Sequence, residues 1–333
     1  MSLRRLFLLA FVALGLAPGL WLRTPAPREN TEHILRVTRL AIPARQWGRL
    51  RLIGAWRLAS RNSRFGGYSA LVALGDGRLL AASDRGYMLV FNPSGAGPVR
   101  YEMSRYARLD LRWWGLNDLE SMTRDPVSGR LWTGYEQVNR ILRVEADYSH
   151  PVFVSPPAMR GWQADFGPES MVRLADGRFI VLAERSPRWF DSTTPGLLFP
   201  RDPVSGAVPQ RFKVRLPSGY SPTDIAQLPD GRVLLLLRGF RLGLPPRYPG
   251  LIAWADPAQI RPGATWAPTV LGRLEPPVPS DNYEGLAIVP EPGGGATVWA
   301  ISDDNVSVFQ RTLLLKLRWE PQTTKARGSP ARL

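Results

Sequence analysis

The stretch ESMVRLADGRFIVLAER, residues 169–185, decides the fold, because its pattern occurs in four further places along the chain. The other copies are SALVALGDGRLLAASDR from Ser69, ESMTRDPVSGRLWTGYEQ from Glu120, TDIAQLPDGRVLLLLRG from Thr223 and EGLAIVPEPGGGATVWAISDD from Glu284. Each copy has a short apolar strand, a turn rich in Gly and Asp, and a second apolar strand. The Asp-Gly pairs at 76–77, 176–177 and 230–231 favour tight hairpins, because Gly accepts a positive φ.

The repeats begin at residues 69, 120, 169, 223 and 284, and a period near fifty residues is typical of a β-propeller. Two weaker strand-like runs follow each hairpin, such as Tyr87–Phe91 and Leu251–Ala255. We therefore predict an all-β fold, a β-propeller of four-stranded antiparallel blades. Five repeats give five blades, and the long intervals leave room for a degenerate sixth. A TIM barrel would need an amphipathic helix after each strand, and the sequence has none at these places.

The N-terminal part of the chain is expected to close the ring. The last repeat lacks a fourth strand, since Thr312–Trp319 supplies only its third, whereas Leu50–Ser60 (LRLIGAWRLAS) has no hairpin partner. We expect this N-terminal strand to complete the last blade. The propeller is thus placed at residues 45–320, and residues 321–333 (PQTTKARGSPARL) are predicted to be a disordered tail.

Composition excludes several classes of site. The chain has 333 residues, a formal charge of +15, no Cys and two His, so disulfides, thiolate metal sites and His-rich zinc sites cannot form. Lys occurs only at 213, 316 and 325, and the numerous Arg residues are scattered rather than grouped with aromatic residues. We therefore predict no nucleic-acid binding, although a basic surface attracts anionic substrates.

Residues 1–27 are predicted to be a signal peptide or an N-terminal membrane anchor. Arg4 and Arg5 precede the uncharged run Leu6–Leu22 (LFLLAFVALGLAPGLWL), which is the order of a secretory signal. Seventeen residues is also the lower limit for spanning a bilayer, so an uncleaved anchor stays open. We expect a periplasmic or secreted monomer that contacts the membrane only through this segment.

The hairpins predict a ring of polar side chains. The first residue of a first strand and the last residue of its second strand lie at the same end of a hairpin. If these strands are the innermost of each blade, ten residues surround one mouth of the central channel. The first positions are Ser69, Glu120, Glu169, Thr223 and Glu284, and the second-strand ends are Asp84, Glu136, Glu184, Arg238 and Asp303. Asp118, Asp224 and Asp304 lie alongside.

The ring is mostly acidic, and this composition points to a metal or ligand site. Crowded carboxylates raise one another's pKa unless a cation compensates them, and Ca²⁺ takes six to eight oxygen ligands. We predict Glu120, Glu169 and Glu284 as catalytic residues, with Asp84, Glu136, Glu184, Asp303 and Asp304 as metal ligands. Arg85, Arg185 and Arg238 are predicted to bind the substrate anion. The alternative is that ring residues only hydrogen-bond neighbouring blades and close the ring.

Five short motifs resemble the phytase-like family, whose members are often labelled as having an esterase-like activity of phytase. They are SDRG (83–86), DLES (118–121), PES (168–170), NYEG (282–285) and SDDN (302–305), and the resemblance covers roughly residues 45 to 320. It implies a secreted or periplasmic propeller. More distantly it implies likeness to six-bladed calcium-dependent phytases, which hold Ca²⁺ and phosphate at the channel mouth. On that analogy the acidic motif positions are Glu120, Glu169, Glu284, Asp84 and Asp303.

The sequence departs from the family pattern in the fourth repeat, where Thr223-Asp224 replaces Glu-Gly or Glu-Ser. It also lacks a Lys cluster of the kind that phytate would favour. Our first hypothesis is a metal-assisted hydrolase of phosphate or carboxylic esters that acts on a small anionic ester, with Ca²⁺ as the cofactor. The second is a non-catalytic binding propeller of the cell envelope, and the third is a lactonase-type propeller with one central Ca²⁺.

Overall fold

The computed structural model describes residues 4–8, 10–11, 29–93, 97–106, 116, 118–164, 166–185 and 193–321. The predicted signal or anchor segment and the predicted tail therefore lie mostly outside the described residues. Residues 4–8 and 10–11 are helical. Among the described residues, the search for a helix long and apolar enough to span a membrane finds none.

Five antiparallel sheets form the fold. Three strands precede the first repeat: β1 (Ile34–Arg39), β2 (Gln46–Trp47) and β3 (Leu50–Ala59). Blade 1 is built from β4 (Tyr68–Ala73), β5 (Leu79–Ser83), β6 (Tyr87–Phe91) and β8 (Glu102–Arg105). Between β6 and β8 the chain forms β7 (Gly97–Arg100), which belongs to another sheet. Blade 2 is built from β9 (Leu119–Arg124), β10 (Leu131–Tyr135), β11 (Arg140–Val144) and β12 (Val152–Val154).

The remaining blades follow the same order along the chain. Blade 3 is built from β13 (Pro168–Arg173), β14 (Phe179–Ala183), β15 (Thr193–Phe199) and β16 (Gln210–Arg215). Blade 4 is built from β17 (Tyr220–Gln227), β18 (Val233–Gly239), β19 (Gly250–Ala255) and β21 (Thr269–Leu274), and β20 (Thr265–Trp266) joins blade 3 in parallel to β16. Blade 5 starts with β22 (Asn282–Pro290), β23 (Ala296–Asp303) and β24 (Thr312–Trp319). Short 3-10 turns lie, among others, at Pro157–Met159, Pro203–Ser205 and Pro257–Gln259.

The prediction that the N-terminal strand closes the ring is confirmed. β24 pairs antiparallel with β3, in a register that runs from Thr312 opposite Leu58 to Trp319 opposite Leu50. The sheet does not end there, because β1 pairs with the far side of β3 and β7 pairs with β1. The propeller sheets thus begin at Ile34, before the predicted boundary at residue 45. Since β7 comes from the blade 1 segment, it also links blade 1 to the outer edge of blade 5.

The inner strands show that five blades make a complete ring. β4, β9, β13, β17 and β22 contact one another in that order, and β22 contacts β4 again. Five hydrophobic clusters fill the five blade interfaces. The run VLLLL of β18 shows how: Leu234 and Leu236 pack toward blade 5, whereas Val233, Leu235 and Leu237 pack toward blade 3. Because side chains alternate along a strand, a strand between two blades must be apolar on both faces.

Candidate active site at the channel mouth

The predicted ring position lies at a β-bulge in every inner strand. In blade 3, Pro168 pairs with Ala183 and Ser170 pairs with Leu182, so Glu169 between them has no partner. The same shift leaves the equivalent residue unpaired in the other four blades, at Ser69, Glu120, Thr223 and Glu284. A bulge adds one residue and re-aims its side chain. The fold therefore presents five equivalent side chains at the channel, at the end where the second strands finish.

Arg238 neutralises one side of this ring. It is the last residue but one of β18, the second strand of blade 4, at the repeat position where the other four repeats carry an acid. Its Nη1 donates to Oε1 of Glu284. Its Nη2 donates to Oε1 of Glu184 at 3.1 Å and lies 3.9 Å from Oε1 of Glu169. Asn282 supports the group, because its Nδ2 donates to Oε1 of Glu284 at 2.8 Å. One guanidinium thus joins acids from blades 3 and 5.

Burial opposes the charge of Arg238, but Glu284, Glu169 and Glu184 outweigh that effect and raise the pKa of its guanidinium. The pKa of Glu169 is raised well above its ordinary value by burial and by the charge of Glu184, although Arg238 lowers it. Burial likewise raises the pKa of Glu284, against the opposing effects of Arg238 and Asn282. These groups form an internal ion-pair network in which the acids outnumber the cation.

A second group of acids lies on the blade 2 side. Asp118, Glu120 and Glu136 each offer a carboxylate oxygen within 4.8 Å of the other two. Gln137 donates its Nε2 to Asp118 at 3.1 Å. Glu120 keeps part of its surface exposed but is closely surrounded by protein atoms, so desolvation raises its pKa well above the ordinary value. Glu169 and Glu284 also raise the pKa of Glu120, so this acid interacts electrostatically with the Arg238 network as well as with its own group.

The third group joins blade 5 to blade 1. Asp304 accepts hydrogen bonds from the backbone N–H groups of Gly67 and Val306, each at 3.1 Å, and from Oγ1 of Thr312 at 3.1 Å. Asp303 accepts from the backbone N–H of Asn305 at 2.7 Å. Asp304 therefore serves first to hold the blades together.

Gly66 and Gly67 make room for these acids. Both have positive φ, and a Cβ on either would lie within 2.8 Å of a carboxylate oxygen, that of Asp304 for Gly66 and that of Asp84 for Gly67. Asp84 accepts from the backbone N–H of Arg85. Burial raises the pKa of Asp84 to about 6, although Arg85 lowers it.

The three predicted substrate-binding arginines differ in how many contacts their side chains make with other groups of the protein. Arg85 donates to the backbone carbonyls of Phe65 and Gly66, each at 3.1 Å, and so supports the loop before blade 1. Arg238 is held among the acids described above. The Arg185 side chain is 56% exposed, 3.5 Å from Glu184 and 5.3 Å above the ring of Phe166. Of the three, Arg185 is the one whose side chain extends furthest into solvent.

The fourth repeat has no acid at the ring position. Thr223 fills the bulge and donates its Oγ1 to the carbonyl of Tyr283 at 3.1 Å. The Asp224 carboxylate is buried and accepts from the backbone N–H groups of Leu286, at 2.6 Å, and Ile225, at 2.8 Å. The sequence places Asp224 alongside the ring, but in the structure it links blade 4 to blade 5 instead. The reason is the bulge, since the residue after it points to the blade interface.

Sequence reasoning missed two supports of the site. Asn282 precedes Glu284 by two residues within the NYEG motif, and its role in holding Glu284 depends on a contact across the bulge. The Gly66-Gly67 pair could have been noticed, because adjacent glycines just before a repeat signal a close backbone approach. What they approach, two carboxylates from blades 1 and 5, is visible only in the folded ring.

The sequence matches the phytase-like family, described as "Esterase-like activity of phytase", over residues 63–306. The chain belongs to this family. The match spans the ring from the loop before blade 1 to the SDDN motif of blade 5. It therefore includes every residue of the three acidic groups. Among curated proteins, no match is found.

Similar solved structures include propellers of several kinds. An exo-1,5-alpha-L-arabinanase from a bovine ruminal metagenomic library is 12% identical with a TM-score of 0.45, and the match covers 75% of this chain and 92% of that one. A luciferin-regenerating enzyme is 12% identical, with a TM-score of 0.42 and coverage of 79% and 80%. Kuenenia stuttgartiensis hydrazine synthase is 11% identical, with a TM-score of 0.36, and this chain covers 58% of its length and 73% of its own. Likenesses this distant carry no argument about the reaction.

Proposed function

We propose that this member of the phytase-like family is an exported, metal-assisted hydrolase of phosphate or carboxylic esters that acts at the channel mouth. One observation carries the proposal. The carboxylate oxygens of Asp118, Glu120 and Glu136 converge within 4.8 Å of one another. Three carboxylate oxygens this close together form a group that can hold a cation.

The residues present fit a calcium ion. All three candidate ligands are carboxylates, Ca²⁺ prefers oxygen, and waters complete its coordination in flexible geometry. Burial raises the pKa of Glu120, and the neighbouring carboxylates, Asp118 and Glu136 among them, raise it further by repulsion. A cation bound by Asp118, Glu120 and Glu136 would relieve this repulsion, and Ca²⁺ held there would supply a Lewis acid able to polarise an ester oxygen and lower the pKa of a bound water.

The chain's own groups would orient the substrate. Arg185, exposed at the mouth and stacked on Phe166, is placed to pair with a phosphate or carboxylate oxygen. Among the blade 2 acids, Glu120 is the one whose pKa Glu169 and Glu284 also raise, so it is the acid best placed to face a substrate that contacts both groups. Glu169 and Glu284 hold the Arg238 side chain in place. They therefore also fix the shape of the mouth on the side of blades 3 and 5. Arg85 supports the loop before blade 1 through the backbone carbonyls of Phe65 and Gly66.

The export part of the proposal is supported by the sequence before the propeller. Arg4 and Arg5 precede an uncharged run from Leu6 to Leu22, the order of a secretory signal. The absence of Cys from the whole chain is compatible with the periplasm or cell exterior.

Cation binding is tested by thermal unfolding with calcium or with a chelator. Calcium should raise the unfolding temperature, because a ligand that binds only the folded state stabilises it by mass action. Glu120→Gln should weaken this shift. Glu102→Gln is the matched control, since Glu102 is an exposed acid at the opposite end of blade 1, 3.3 Å from Arg78. An unfolding temperature indifferent to both calcium and chelator would remove the physical support for a metal-assisted reaction.

Hydrolysis is tested with generic chromogenic phosphate and acyl esters. Wild type and Glu102→Gln should hydrolyse at least one ester class in a calcium-dependent way, whereas Glu120→Gln should lose at least tenfold in rate, about 1.4 kcal/mol of transition-state stabilisation. Arg185→Gln should raise KM more than it lowers kcat. Calcium binding without turnover of any ester would favour the second candidate, a binding propeller. That candidate is favoured by one observation, the internal pairing of Arg238 with Glu184 and Glu284.

A further inference from the structure

The loop between β18 and β19 presents an apolar tip beside the mouth. Phe240, Leu242 and Leu244 are 55%, 92% and 79% exposed. The loop has a defined stem, because the backbone groups of Arg241 and Arg247 hydrogen-bond each other at 2.9 and 3.1 Å. Large apolar side chains grouped on a surface mark interaction sites. This loop tip is therefore a candidate surface for binding a partner or a membrane.

A neighbouring loop adds to the same surface. The segment between β23 and β24 exposes Val306, Val308 and Phe309. Both loops follow second strands that end at the mouth, at Gly239 and Asp303. The two loops also come from adjacent blades, and Tyr248 of the first loop has its pKa raised by burial and by Glu284 and Asp303 of blade 5. Apolar groups of blades 4 and 5 thus share one rim of the mouth.

Basic side chains flank the apolar tip. Arg241 and Arg247 at its stem are both exposed, and Arg241 lies 3.9 Å from Glu275. Arg311, at the end of the second loop, has a side chain that is 45% exposed, and its Nε lies 3.7 Å from Oδ2 of Asp281. Apolar tips bordered by arginines suit the boundary between anionic headgroups and acyl chains, where the apolar groups enter and the guanidinium groups stay at the headgroups.

The N-terminal chain enters the propeller at this same end. The backbone N–H of Ser63 donates to the carbonyl of Asn30 at 2.9 Å, and Asn62 donates its Nδ2 to the carbonyl of Glu32 at 3.0 Å. The loop 60–67 leads directly into the mouth end of β4. The apolar run ends at Leu22, seven residues before Glu29, and seven extended residues span at most about 25 Å. A membrane that holds the apolar run would therefore lie close to the mouth.

We infer that the mouth face docks on an anionic lipid surface through the loop tips of blades 4 and 5. The surface consists of Phe240, Leu242 and Leu244 with Val306, Val308 and Phe309, bordered by Arg241, Arg247 and Arg311. This goes beyond the expected membrane contact through the N-terminal segment. It does not depend on the hydrolase proposal, because it concerns which end of the propeller faces the lipid.

The Cys-free chain allows a direct test in the full-length protein. Leu242→Cys and Val127→Cys each introduce the single thiol of the molecule, and each carries an environment-sensitive fluorophore. Both native side chains are 92% exposed, but Val127 lies in the β9–β10 turn at the opposite end. On vesicles of phosphatidylglycerol and phosphatidylcholine, the probe at 242 should shift to the blue and brighten severalfold, whereas the probe at 127 should stay in water.

Charge variants test the arginine part of the inference. Adding Arg241→Glu and Arg247→Glu to the Leu242→Cys chain should abolish the blue shift, and vesicles of phosphatidylcholine alone should give a weaker shift. Unchanged unfolding temperatures would show that the variants fold. If the probes at 242 and 127 respond alike on the anionic vesicles, the mouth face is not the docking face and the inference is wrong. It is also wrong if the chain binds vesicles while the probe at 242 stays in water, or if the charge variants leave the blue shift unchanged.

Discussion

Arg238 decides how the acids of the mouth are divided. Its guanidinium contacts Glu184 and Glu284 directly and Glu169 at 3.9 Å. It stands at the second-strand position where the other four repeats carry Asp84, Glu136, Glu184 and Asp303. One substitution of acid by Arg in the fourth repeat therefore gives the ring a fixed internal cation.

Replacing Arg238 with Gln should destabilise the fold strongly. The change removes the cation from among buried carboxylates, and removing one partner of a buried pair costs about 3–5 kcal/mol. Urea unfolding at neutral pH measures the loss, which should shrink as the pH is lowered, because the raised pKa values of Glu169 and Glu284 let these acids take up protons. Arg185→Gln is the control, because that exposed side chain should contribute only about 0–1 kcal/mol. Equal losses in the two variants would show that Arg238 is not a structural counter-ion.

At the scale of the element, β3 is the strand on which closure depends. It lies between β24 and β1, and its Leu50, Leu52 and Ala55 belong to the core cluster between blades 4 and 5. Removing a strand from the middle of a sheet removes the hydrogen bonds to both of its neighbours. Without it, both β24 and β1 would present an unpaired edge.

Deleting residues 45–62, which removes β2 and β3, should abolish cooperative unfolding or lower the unfolding temperature by tens of degrees. The reason is that two strand ladders and part of one hydrophobic cluster are lost together. Differential scanning calorimetry measures the change. Deleting residues 322–333 is the control, and it should leave the transition where it is. A transition unchanged by the first deletion would show that the ring closes in another way.

At the scale of the whole molecule, the mouth makes stability fall as pH rises. Acids with a raised folded-state pKa hold a proton in the folded state that they lose on unfolding, so their contribution is complete below the unfolded pKa and is lost as pH rises through the folded pKa. For Asp84 this window runs from 3.8 to about 6. Glu120, Glu169 and Asp303 act in the same direction. The turn acids Asp76, Asp176 and Asp230 have lowered pKa values, so their contribution is lost only on acidification below about pH 4.

In the presence of chelator, the unfolding temperature should therefore rise when the pH is lowered from 7.5 to 5. Calcium should reverse the trend by stabilising the ionised mouth at the higher pH. Asp84→Asn should flatten the chelator curve between pH 4 and 6. Scanning fluorimetry across this range measures both effects, with Glu102→Gln as the matched surface control. A chelator curve that is flat, or that falls on acidification, would contradict the raised pKa values on which this prediction depends.

Much of the fold could be predicted from short-range sequence signals. The Asp-Gly turns and the apolar strands on either side of them predict the hairpins, and their period predicts the blades. The unpaired run Leu50–Ser60 predicts closure, because a blade that lacks a strand needs one from elsewhere. The sequence did not decide between five and six blades, because the length of a connecting segment does not reveal whether it contains a further blade. The extension through β1 and β7 was missed because it depends on pairing between segments about 60 residues apart.

The sequence by itself determined the all-β repeat architecture and the ring positions Glu120, Glu169 and Glu284, because hairpin turns and side-chain alternation are local properties of the chain. Only the tertiary structure decided what each polar residue does. Arg238 of blade 4 donates to Glu184 of blade 3. Asp224 accepts from the backbone N–H of Leu286, and Arg85 donates to the backbone carbonyls of Phe65 and Gly66. The physical reason is that a charge acts on neighbours in space, and the blades bring together at one mouth residues that lie far apart along the chain.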